Sequence, residues 1–144
     1  MRSGQPRDGG RAIVEFVFLG VLVLVPLVYL VLVVARVQAG AYAVTTASRE
    51  AGRAFTTSAT EAEAPARAHA AAGLAFEEFD FADAGQLDIV CDASPCLHAD
   101  GHVTVTASLQ VSLPLVPAFL EGALPVSVPM SATHVAPVDR FRAP

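Results

Sequence analysis

Four side chains that can form a covalent crosslink or bind a metal fall within one short stretch: Cys91, Cys96, His98 and His102. Asp92-Ala93-Ser94-Pro95 separates the two cysteines, and its Ser-Pro pair favours a turn. Cysteines flanking a tight turn between strands can come within disulfide distance. An even cysteine count outside the cytoplasm points the same way. Zinc is the rival reading. Cys-x4-Cys-x-His-x3-His does not match the usual zinc spacing, in which a long gap parts the two ligand pairs. The expectation is a Cys91–Cys96 disulfide, with no metal and no cofactor. His98, Asp100 and His102 then read as a solvated turn. Ser48, Ser94, Ser108, His69 and His134 sit in no nucleophile motif such as G-x-S-x-G, so no enzyme is expected.

Glu15 is a carboxylate in an awkward place. It stands directly before Phe16 to Ala35, a run without a single charge. An acid in a bilayer costs about 2.5 kcal/mol or more at the centre, and less at the edge where it reaches headgroups. The plain reading is an interfacial Glu with no role; the sharper one is an acid kept for a neighbouring helix. Arg49, Glu50 and Arg53 form a third group within one helical turn, with Arg49 and Arg53 on one face. They mark either a solvated face or a subunit contact.

The elements that carry these groups follow from patterning. As a helix, the uncharged run spans about 30 Å, the depth of a bilayer's hydrocarbon core. Hydrophobic residues make up 53% of the 144-residue chain and charged residues 16%, against about 25% charged in soluble domains. The surplus is concentrated in this run. Arg2, Arg7 and Arg11 precede it against one acid, Asp8, which places the N-terminus in the cytoplasm and the rest outside. Arg36 partly offsets that bias. A cleaved signal peptide is the rival, with Ala39-Gly40-Ala41 as an A-x-A site, although the apolar run exceeds the usual length. The net charge of −5, with all 9 cations scattered arginines, excludes nucleic acid as a partner.

Val37 to Thr57 holds no proline, and Val37, Ala41, Val44, Ala47, Ala51 and Phe55 share one helical face. One long helix, half in lipid and half outside, is expected, with Pro26 as a place for a kink. Gly40 and Gly52 read as weak points, costing about 1 kcal/mol each. A second helix is expected from Pro65 to Phe79, through Ala68, Ala72, Ala75 and Phe76. After Gly85 the period becomes two. Leu87, Ile89 and Cys91 alternate with polar residues, as do Val103 to Leu113. Leu124 to Thr133 alternates as well, but Pro125 and Pro129 limit it to an edge strand. Clean alternation implies a small antiparallel sheet of about three strands, one face covered by the helices. The tail after Pro137 reads as loose. The fold class is α+β.

Gly10-Arg11-Ala12-Ile13-Val14-Glu15-Phe16, placed before the apolar run, resembles the type IV pilin-like cleavage and assembly signal in the form found in the TadE family of Flp/Tad pilus minor pilins. Ala47-Ser48-Arg49-Glu50-Ala51-Gly52-Arg53-Ala54 is similar to the Ala-Arg-Glu-rich stretch after the anchor in that family. The likeness covers roughly the first 55 residues. It implies a prepilin peptidase that cuts between Gly10 and Arg11, leaving Glu15 fifth in the mature chain and Phe16 as the aromatic after it. It further implies a leader 1–10, a transmembrane helix 11–36, an extracytoplasmic domain 37–144, and other Tad pilins and pilus assembly machinery as partners. Arg11, a charge next to the cut, departs from the pattern. The alternative is a single-pass envelope domain that binds a partner without polymerising.

Overall fold

The computed structural model describes residues 9–114 and 127–141. Among the described residues, two helices precede three strands: α1 (Gly9–Thr56), α2 (Ala64–Glu78), β1 (Gly85–Cys91), β2 (His102–Ser112) and β3 (Ser127–Pro137). The strands form one antiparallel sheet in the order β1-β2-β3, so the class is α+β. Residues 1–8 of the leader and residues 124–126 of the third alternating run lie outside the described residues.

The chain divides into two compact units, Met1–Ala35 and Arg36–Pro144. In the first, α1 is apolar all round from Phe16 to Ala35, with Phe16, Leu22, Val25 and Leu30 all exposed. A helix of that kind is stable where something apolar surrounds it, and this one is long and apolar enough to cross a membrane. Pro26 lies inside it.

In the second unit, α1 turns Ala43, Val44, Ala47, Ala51 and Phe55 inward. The expected face is rotated slightly: Ala41 is exposed and Val37 half-buried, while Ala43 and Ser48 are buried. Close approach decides this. An added Cβ on Gly40 would collide with Val111 Cγ2, and one on Gly52 would lie 3.1 Å from the Ala136 Cβ. The two glycines therefore seat the helix on the sheet as well as weakening it. Between them α1 advances about 18 Å, and β2 from Val111 back to Val105 covers about 20 Å, so helix and strand run almost side by side.

α2 has proline in its first turn and presents Ala64, Ala68, Ala72, Ala75 and Phe76 to the core. Its end is a Schellman turn, with the Phe81 N–H bonding the Phe76 carbonyl at 2.8 Å and the Asp80 N–H bonding Glu77 at 3.0 Å. Asp80 takes the left-handed position, φ 69°, usually given to glycine. The turn carries Phe81 into the core beside Phe76, and the Arg36 guanidinium stacks 4.2 Å above the Phe81 ring. Arg36 Nη2 also donates to the Asp80 carbonyl at 3.2 Å.

β2 is central and alternates strictly, with Val103, Val105, Ala107, Leu109 and Val111 buried. On the opposite face, Thr106 and Thr133 share a 3.0 Å hydroxyl hydrogen bond across β2 and β3. β3 is an edge strand, as its prolines require. It runs on past Thr133 to Pro137, with Ala136 buried. The segment after it is not loose at its start: Val138 is buried, and its N–H bonds the Gly101 carbonyl at 2.8 Å.

Candidate functional site

The β1–β2 turn lies at the end of the sheet near the far end of α1, and it gathers Cys91, Cys96, His98, Asp100 and His102. Cys91 and Cys96 form a disulfide with Cα atoms 5.3 Å apart. Glu61, from the connection between the helices, accepts the Cys96 N–H at 2.9 Å. The hub is Asp92. Register pairs Cys91 with Val103, which sets Asp92 opposite His102. The Asp92 carboxylate accepts the His102 backbone N–H at 3.0 Å through Oδ2 and meets His98 Nε2 at 3.0 Å through Oδ1. Asp100 and Arg140 approach to 3.8 Å at the outer edge.

Partial loss of water raises the Asp92 pKa, but the His98 hydrogen bond, the His102 N–H and the nearby imidazole charge outweigh it. The carboxyl sits below its ordinary 3.8. His98 is raised above its ordinary 6.5, first by its bond to Asp92 and then by the Ala99 carbonyl. The expected solvated turn is therefore an organised network, although an exposed one. Sequence reading passed over Asp92 and Glu61. The one available signal was an aspartate opening a turn, where its short side chain reaches nearby backbone amides.

Serine at both Cys91 and Cys96 is expected to cost about 2 kcal/mol, the loop-closure entropy of so short a crosslink. Urea denaturation of the oxidised chain against the double variant measures it. An unchanged midpoint would mean that the turn's hydrogen bonds hold it unaided.

The other candidates are dispersed. Gly10 and Arg11 fall in the first turn of α1, and Glu15 and Phe16 follow on the same helix, Phe16 being 78% exposed. Arg11 and Glu15, four apart, share a helical face. Arg49, Glu50 and Arg53 all lie on the solvent side of α1, opposite Ala47, Ser48 and Ala51. Ser48 is buried and donates to the Thr45 carbonyl at 3.1 Å. His69 lines a groove with Phe55, Pro65 and the disulfide, while His134 is half-buried on β3 near Gly52. An open cleft of about 420 Å³ is walled by Arg36, Glu77, Asp80, Asp83 and Gln110. Among the described residues, no group of three or more His, Cys, Asp or Glu side chains is placed to hold a metal ion.

These features define a class: one helix able to cross a membrane, continuous with a small α+β unit whose β1–β2 turn is closed by a disulfide. No protein-family model, curated protein or solved structure matches the chain.

Proposed function

We propose that this chain is a minor pilin or pseudopilin of a Tad-type pilus or related secretion system. A prepilin peptidase cuts it between Gly10 and Arg11, and its N-terminal helix inserts it among neighbouring pilins. The observation that carries this reading is Glu15, which directly precedes the uncharged run Phe16 to Ala35, the stretch of α1 that is apolar all round. In a bundle of such helices a lone carboxylate is penalised unless a partner meets it in good geometry. The amine freed at Arg11 of an adjacent copy is such a partner, and the pair would set the register between subunits. The disulfide suits an oxidising compartment, and the arginine-rich leader suits the cytoplasm. The α+β unit then stands outside the cytoplasmic membrane, with Arg49, Glu50 and Arg53 available on the exposed face of α1 for a subunit contact.

Glu15→Gln is expected to leave membrane insertion intact and to abolish incorporation into filaments, read by immunoblot of sheared surface fibres against the membrane fraction. Equal incorporation of the variant would remove the register role. Arg11 favours a second reading, an anchored envelope domain that binds a partner and never polymerises. N-terminal sequencing of the membrane-purified protein separates the two: a start at Arg11 supports the pilin, and an intact Met1 supports the anchored domain.

A further inference from the structure

The His98 ring is held between two hydrogen-bond acceptors. Its Nε2 faces Asp92 Oδ1 at 3.0 Å, and its Nδ1 faces the Ala99 carbonyl at 3.2 Å. A neutral imidazole carries one N–H and can donate to only one of them; the imidazolium donates to both. The ring also lies against the Gly101 backbone, where an added Cβ would sit 2.7 Å from Nε2. Gly101 in turn donates its N–H to the His98 carbonyl at 3.1 Å and accepts the Val138 N–H at 2.8 Å. The position of one ring thus bears on the turn, the start of β2 and the C-terminal segment after β3.

We propose that His98 is a proton-operated latch: as the imidazolium it bridges Asp92 and Ala99 and keeps the turn closed, and on losing its proton it releases one of them and loosens the Gly101–Val138 seat. The neighbouring charged or titratable groups are Asp92 and Asp100 on the turn, His102 on β2 with Nδ1 3.8 Å from Asp92, Arg140 after β3 and Glu61 before α2. Asp92 is the group that touches the ring; Arg140 faces Asp100.

The pH window follows from the two shifts. The stabilisation from the raised His98 is complete below its ordinary 6.5 and fades as pH climbs through the raised value. That from the lowered Asp92 is present above its ordinary 3.8 and fades as pH falls through the lowered value. The turn is tightest between those limits and opens toward the alkaline side.

The test uses the full chain in detergent micelles. Histidine ¹⁵N shifts follow each ring's titration, and amide exchange, corrected for intrinsic base catalysis, follows Gly101, His102 and Val138. Protection at these amides is expected to fall about two- to fivefold from pH 5.5 to 8, the range given by exposed charge pairs. In His98→Gln and Asp92→Asn that pH dependence should vanish while the rest of the exchange pattern stays. A His98 ring that titrates as free imidazole overturns the latch, and so does a protection change that persists in His98→Gln. If either variant fails to fold, the wild-type ring titration still decides, because it is read at His98 itself.

Discussion

Gly40→Val is expected to lift α1 off the sheet and to cost about 3 kcal/mol, the upper end for overpacking a close-packed core. Even the first carbon of a new side chain collides with Val111 and lies 3.0 Å from Met130 Sδ. Met130 is unbranched and can repack. Val111 cannot: it is fully buried in the central strand, and its branched Cβ allows few rotamers. The gain in helix propensity over glycine is well under 1 kcal/mol for valine, too small to offset the clash. Thermal unfolding of the micelle-solubilised chain should show a loss of about 10–20 °C. Gly52→Ala is the control, because its neighbours stand at 3.1 and 3.2 Å, so a small adjustment suffices. Its effect should stay within about 1 kcal/mol either way. A Gly40→Val chain as stable as the parent would mean that α1 does not approach β2 so closely.

Phe76→Ala is expected to cost about 4 kcal/mol, the loss that comes with emptying a buried phenylalanine site. The ring is 3% exposed. It is one half of the apolar contact that closes the Schellman turn on Phe81, and it covers the start of β1 so closely that a Cβ on Gly85 would collide with it. Removing it strikes the helix end and the first strand together. Gly85→Ala alone should also be damaging, because the ring has nowhere to go. In the Phe76→Ala background the same change should cost much less, since the methyl enters the space the ring leaves. Urea denaturation of the four chains gives that coupling directly. Simple additivity would mean that Phe76 and Gly85 are not in contact.

The membrane-length helix was legible because an uncharged run of that extent admits few other meanings. β2 was legible because Val103 to Val111 alternates without a fault, and only a strand with one buried face needs that. The disulfide was legible from the Ser-Pro turn between its cysteines. The choice of Ala43 over Ala41 was not. Alanine, glycine and serine carry so little apolar surface that periodicity alone cannot orient a helix made of them, and the closest approach to Val111 and Ala136 decides instead.

What the linear order of residues determined, then, is the set of elements: the apolar rod with Glu15 at its edge, the short second helix, the alternating strands and the crosslinked turn. Each rests on local chemistry, such as charge exclusion, the period of two, or a turn residue between cysteines. What only the tertiary structure decided is which distant groups meet. Val138 finds Gly101, Arg36 finds Phe81, and Asp92 gathers His98 and His102. Those partners are set by strand register and by how near small side chains let the backbones approach, and neither is written in the spacing of any one segment.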